Sequence, residues 1–191
     1  WLGIKALKPN FFIVGVPKSG TTALAKYLST HSNIFVCEPK EPHYFAEDFP
    51  RNRYVSNLDD YLGLFKQATL RHKAIGEASI MYLYSVTALD EIYEFDQNAR
   101  SIISVINSVE MLYSLHSENV FNFNEDLIDF KEALAAESNR KKGMDIPDNC
   151  RNPMLLQYTE LGKYSKYIKK FISKFGEKNI KVVFFDEIKN N

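Results

Sequence analysis

The sequence predicts an α/β fold: a layered, largely parallel sheet flanked by helices. Two observations carry this. Short, continuous apolar runs such as "FFIVGV" (Phe11–Val16) suit strands buried on both faces, and they alternate with segments whose apolar residues recur at helical spacing. At 191 residues and 45% hydrophobic content the chain has enough apolar surface for one domain with a real core, taken as 1–191.

Taken in order, the Phe11–Val16 strand leads into a glycine loop and then a helix through "TTALAKYLSTH", with Ala23, Leu24, Tyr27 and Leu28 on one side. "NIFVC" (Asn33–Cys37) is a second short strand, and the proline-rich, charged stretch from Glu38 to Arg53 reads as loop. "NLDDYLGLFKQA" is a helix capped near Asn57 or Asp59. "KAIGEAS" (Lys73–Ser79) is a strand ending at a functional loop, and "VTALDEIYEF" is helical. "SIISVI" (Ser101–Ile106) is a strand followed by a helix through "VEMLYSLHSE". "NEDLIDFKEALAAES" (Asn124–Ser138) is an amphipathic helix beginning at a good cap. The polar stretch from Asn139 to Pro153 reads as a mobile surface loop, either an acceptor lid or plain surface. "ELGKYSKYIKKFISKF" is a helix with Tyr164, Tyr167, Ile168, Phe171 and Phe175 on its apolar side, and "IKVVFFDEI" is the last strand.

Charge excludes one class of function. Lys and Arg (24) balance Asp and Glu (24), so no whole-molecule field gathers nucleic acid. The two cysteines, Cys37 and Cys150, lack metal-ligand spacing and allow at most one disulfide, which favours a reducing, cytoplasmic compartment. No apolar run reaches the ~20 residues of a membrane helix. A trimmed luminal domain of a Golgi-type enzyme would share these features. The start, "WLGIKALKPNFF", has no initiator Met and reads as trimmed or processed.

The loop after the first strand, "GVPKSGTT", has the G-x-x-x-x-G frame of a nucleotide phosphate loop, from Gly15 to Gly20. Thr21 stands where that motif places lysine, and the lysine lies inside the loop at Lys18. Strand, glycine turn and helix start make an anion site from backbone amides and the helix N-terminus. Gly20 permits close approach, while Thr21, Thr22 and Lys18 add donors and a cation.

"PKSGTT" after a buried strand resembles the 5′-phosphosulfate loop of sulfotransferases that use 3′-phosphoadenosine 5′-phosphosulfate (PAPS). "KEPHYF" (Lys40–Phe45) resembles the K-E-x-H-F-F element of the carbohydrate and heparan-sulfate branch, and "GEAS", "VEMLYSLHSE", "QYTELGKYSKYI" and "KVVFFDEI" follow in the family's order. The resemblance runs from about Phe11 to Ile188 and implies a P-loop-like three-layer sandwich. It implies in-line, metal-free transfer of a sulfuryl group from PAPS to a hydroxyl or amine of a sugar or small molecule, with 3′-phosphoadenosine 5′-phosphate (PAP) as product. By that resemblance Lys18 stabilises the bridging oxygen, and Ser19, Gly20, Thr21 and Thr22 bind the 5′-phosphate. Glu41 is the general base, with His43 the alternative base, and Ser114 binds the 3′-phosphate. Glu77 either orients Lys18, contacts the acceptor or sits in a salt bridge.

The chain departs from the family pattern at the 3′-phosphate element, usually L-R-N-P-V-(D/E)-x-x-x-S. Here "VINSVEMLYS" keeps Asn107, Val109, Glu110 and Ser114, but Ile106 replaces the arginine and Ser108 the proline. Arg100 is a candidate replacement cation. The family's later basic loop is missing before "DEIKNN" ends the chain, so the domain reads as truncated at its C-terminus. These departures keep a second expectation open: a sulfotransferase-fold nucleotide-binding or regulatory module with impaired turnover.

Overall fold

The computed structural model describes residues 7–189; the readings of the first six residues and of the last two lie outside them. Five strands form one sheet: β1 (Phe11–Gly15), β2 (Ile34–Val36), β3 (Ala74–Ala78), β4 (Arg100–Val105) and β5 (Ile180–Phe184). Their order is β2-β3-β1-β4-β5 and every pairing is parallel, which matches the α/β expectation. Among the described residues eight α-helices connect or follow them: α1 (Thr21–Ser29), α2 (Leu58–Gly63), α3 (Ala88–Phe95), α4 (Ser108–Phe121), α5 (Phe130–Arg140), α6 (Tyr158–Leu161), α7 (Tyr164–Phe175) and α8 (Phe185–Lys189). A 3-10 turn spans Ile80–Leu83 directly after β3.

β1 is central, and all five of its residues are buried. Strand alternation sends its side chains to opposite faces. Phe12 and Val14 join the larger core with Phe45, Tyr61, Tyr82, Ile92, Ile103 and Phe171. Phe11 and Ile13 meet Leu24 and Ala25 of α1 on the other face. Burying one such Leu side chain contributes about 1.5–3 kcal/mol. The buried face of α1 is thus Thr21, Leu24 and Ala25, and Tyr27, read from the sequence as inward, is 72% exposed. Gly76 is required where β3 lies against β1, because a Cβ there would fall 2.3 Å from the Phe11 carbonyl oxygen.

Three caps follow from sequence chemistry. Asn57 accepts from the Asp60 amide at the start of α2, and Asn107 from the Val109 amide at the start of α4, each at 2.9 Å. Asp129 caps α5 by accepting from the Lys131 amide at 2.8 Å. Helix α5 therefore starts later than its amphipathic pattern suggests. Residues ahead of it are spent on tertiary contacts: Asn124 Oδ1 accepts from the Arg151 amide at 3.0 Å, and buried Glu125 takes a two-pronged bond from Arg140 at 2.6 Å on each arm.

The same contacts overturn the reading of 139–153 as a free loop. Arg140 Nε donates to the Asp145 carbonyl at 3.0 Å, Cys150 is 4% exposed, and its carbonyl accepts from Arg51 at 3.2 Å. Cys37 and Cys150 are both buried and unbridged. Among the described residues no helix is long and apolar enough to cross a membrane.

Candidate functional site

The strand order creates a crevice at the carboxyl edge of the sheet. The chain leaves β1 toward β2 on one side and leaves β4 toward β5 on the other, so the loops after β1 and β4 diverge. In open parallel sheets such a switch point is where ligands bind.

The β1–α1 loop is held from beneath. Ser19 is fully buried and its hydroxyl donates to the Val16 carbonyl at 2.7 Å, while Ser104 Oγ of β4 donates to the Ser19 carbonyl at 2.7 Å. The Ser19 hydroxyl is thereby committed to the loop rather than to solvent. Gly20 precedes α1 at φ 73° and supplies no side-chain cap, which leaves the first-turn amides of α1 for an anion. A Cβ on Gly20 would also fall 2.1 Å from the Phe185 ring. Lys18 adopts φ 61°, a left-handed conformation that costs a non-glycine residue about 1–2 kcal/mol.

Lys18, Gly20, Thr21, Thr22 and Glu41 line one cleft of about 330 Å³, together with Lys40, Ile80, Glu118 and Phe185. Two ion pairs cross or border it: Lys18 Nζ to Glu118 at 3.3 Å, and Lys40 Nζ to Glu41 at 2.6 Å. Glu41 is fixed to the sheet, because its amide donates to the Ala78 carbonyl at the end of β3 at 3.0 Å. A larger hollow of about 500 Å³ between α5 and the start of α7 shares no residue with this cleft.

His43 is buried behind Glu41, at 3% exposure. Burial holds its imidazole below the usual histidine range, against the raising influence of Glu41. Nδ1 lies 3.0 Å from the Glu41 carbonyl, an acceptor, so Nδ1 carries the proton. Nε2 is then a bare acceptor, 3.8 Å from Glu41 Oε2 and without a hydrogen-bond partner among the described residues.

Ser114 lies on the exposed face of α4, one turn ahead of Glu118, and does not line the cleft. Ile106 packs its side chain against the larger core, and its carbonyl accepts from the Tyr164 hydroxyl. Arg100 begins β4, opposite Phe11, at the amino edge of the sheet. The length of that strand, roughly 16 Å at ~3.3 Å per residue, separates Arg100 from the cleft and rules it out as a replacement cation there. Glu77 touches neither Lys18 nor the cleft; it is fully buried among hydroxyls.

Lys40, Glu118 and Phe185 were not singled out from the sequence. Glu118 had a readable signal, since i and i+4 share a helix face and Ser114 was already a candidate. Lys40 adjoins Glu41, and a neighbouring cation for a candidate base is a signal too. Phe185 reaches Gly20 only through the sheet order.

A family model described as "Sulfotransferase domain" matches residues 8–191. The crystal structure of a sulfotransferase from Alicyclobacillus acidocaldarius is similar at a TM-score of 0.84 and 30% identity, covering 97% of this chain and 76% of that one. Human (Homo sapiens) carbohydrate sulfotransferase 15 is 25% identical across 96% of this chain, which spans 41% of that protein. The bifunctional heparan sulfate N-deacetylase/N-sulfotransferase of Drosophila melanogaster is 22% identical across 96% of this chain, which spans 18% of its length. With the phosphate-type loop, the parallel sheet and this match along nearly its whole length, the chain belongs to the sulfotransferase domain family.

Proposed function

We propose that this chain transfers a sulfuryl group from PAPS to a hydroxyl or amine of a carbohydrate. The observation that carries the reading is that Lys18 and Glu41 line the same cleft beside the uncapped start of α1. The acceptor's oxygen or nitrogen attacks sulfur, the S–O bond to the 5′-phosphate breaks, and PAP leaves. Lys18 and the amides of Gly20, Thr21 and Thr22 neutralise the charge growing on the departing phosphate. Glu41 takes the acceptor's proton, a role that contributes about 10²–10⁴-fold in rate. Holding donor and acceptor in line supplies the remaining advantage. The carbohydrate acceptor is supported by the "KEPHYF" element and by the printed names of the relatives.

A second reading, a nucleotide-binding module without turnover, is favoured by one observation: a half-buried Ile106 packs against the core where the family places an arginine. Calorimetry with PAP and AMP tests the donor site. PAP is expected to bind more tightly than AMP, and Lys18→Ala to weaken PAP by about tenfold to a hundredfold, the worth of a charge-assisted bond at about 1.5–3 kcal/mol. PAP binding that is absent, or indifferent to Lys18→Ala, overturns the assignment. Donor binding without turnover of PAPS selects the module.

A further inference from the structure

Outside the cleft, one buried acidic group has no role in the steps described so far: Glu77 of β3. Its side chain is fully buried in β3, and three hydroxyls donate to it: Ser79 Oγ to Oε2 at 2.5 Å, and the Tyr61 and Tyr82 hydroxyls to Oε1 at 2.8 Å each. Among the described residues all of its hydrogen-bond partners are hydroxyls and none is a cation. A buried carboxylate without a paired cation is costly, and a polar residue of this kind in the core calls for an explanation.

Two of those hydroxyls continue outward to a single segment. Ser79 Oγ accepts from the His43 amide at 3.0 Å, and the Tyr82 hydroxyl accepts from the Phe45 amide at 3.3 Å. The segment they hold is strained. Glu41 sits at φ 64° and His43 at φ 50°, on either side of Pro42. Left-handed non-glycine residues cost of order 1–3 kcal/mol each and persist only where the surroundings over-determine them. Three bonds do so here: the Glu41 amide to the Ala78 carbonyl, and the His43 and Phe45 amides to hydroxyls oriented by Glu77. The rings complete the frame, since Phe45 packs edge-on against Tyr61 and Tyr82, at centroid distances of 5.2 and 5.9 Å.

We infer that Glu77 is a positioning residue for sulfuryl transfer: through Ser79 and Tyr82 it holds residues 41–45 in the strained conformation that presents Glu41 to the cleft. It touches no reacting atom and acts only through this segment. The inference rests on the proposed role of Glu41, but its structural half is measured without turnover.

The test uses Ser79→Ala, which cuts the link to His43, and Glu77→Gln, in which an amide nitrogen replaces one carboxyl oxygen, so that either the Ser79 hydroxyl or both tyrosine hydroxyls lose their acceptor. Tyr61→Phe is the control, because it removes a Glu77 bond that leads to no amide of the segment. Amide exchange is followed by NMR. Transfer is assayed with labelled PAPS and chemically desulfated heparin, and PAP affinity by calorimetry. Exchange is expected to quicken at least tenfold at the His43 amide in Ser79→Ala and at the His43 or the Phe45 amide in Glu77→Gln, but at neither in Tyr61→Phe. In the first two variants kcat is expected to fall at least tenfold, with KM for heparin and PAP affinity within twofold of the parent. That split is one a merely structural role would not give. Unchanged exchange at His43 in Ser79→Ala, unchanged exchange at both amides in Glu77→Gln, or quickened exchange with an unchanged kcat, overturns the inference. Failure of the parent chain to bind PAP overturns the proposed function instead and leaves the exchange result to decide whether Glu77 holds the segment.

Discussion

Replacing Glu77 by glutamine should remove a pH dependence from the protein's stability. Burial is the largest influence on this carboxyl and pushes its pKa up from 4.5 to about 7, against the lowering effect of the Ser79, Tyr61 and Tyr82 hydroxyls. The folded chain therefore keeps a proton that the unfolded chain has already released. Between these two values the native state binds more protons, so stability falls as pH rises through the window. The contribution is fully present below about pH 4.5 and gone above about pH 7. At 1.36 kcal/mol per unit, the loss between pH 5 and pH 8 comes to about 2–3 kcal/mol.

Other groups titrate in the same range with the opposite sign. His43, held low by burial, is protonated more readily in the unfolded chain and so favours the native state as pH rises. The measurement is therefore a difference: urea unfolding of the parent and of Glu77→Gln at pH 5, 6, 7 and 8. The parent is expected to lose about 2–3 kcal/mol relative to the variant across that span. At pH 8 the variant is expected to match or exceed the parent in stability. A flat difference across the pH range would refute the argument, because it would mean that Glu77 titrates like an exposed carboxylate.

Two further outcomes follow from the ion pairs. Glu118 competes with any anion for Lys18, and both side chains are partly solvated, so the pair is worth about 1 kcal/mol at most. Glu118→Gln should then tighten PAP binding about two- to fivefold at low salt, with the gain shrinking as salt is added; calorimetry at two ionic strengths checks it. Arg140 and Glu125 are each almost wholly inaccessible, and Tyr158 adds a hydroxyl bond to Glu125 at 3.0 Å. Arg140→Met alone strands a buried carboxylate and should cost about 3–5 kcal/mol in urea unfolding, whereas Arg140→Met with Glu125→Leu should recover most of that loss.

The fold was legible because the sheet is parallel. Strands buried on both faces must be continuously apolar, so "FFIVGV" and "SIISVI" announced themselves, and the intervening periodicity marked the helices. The turn from β1 into α1 was legible for a related reason: glycine, lysine and two threonines directly follow such a strand, and the structure places them on the cleft. What escaped notice depends on contacts between distant parts of the chain. The hydrogen bond from His43 to Ser79 spans 36 residues and the one from Phe45 to Tyr82 spans 37, so nothing in "KEPHYF" announces its anchor. The stretch 139–153 reads as free surface for a similar reason, since Arg51 lies 99 residues from the Cys150 carbonyl it binds, and Glu125 sits 15 residues before Arg140.

The cleft pairs each of its two cations with a carboxylate: Lys18 with Glu118, and Lys40 with Glu41. The two pairs are not equivalent. Glu118 belongs to α4, across the crevice from the loop that carries Lys18, so exchanging it for a bound anion requires only a side-chain rotation. Glu41 belongs to a segment with two left-handed residues and three anchoring bonds, so its backbone stays fixed when Lys40 lets go. A donor anion can thus claim Lys18 without moving the candidate base. Under the proposed role of Glu41 the strain stored at Glu41 and His43 makes chemical sense: a carboxylate that takes an acceptor proton within hydrogen-bond reach gains more from a fixed backbone than the segment loses by being strained.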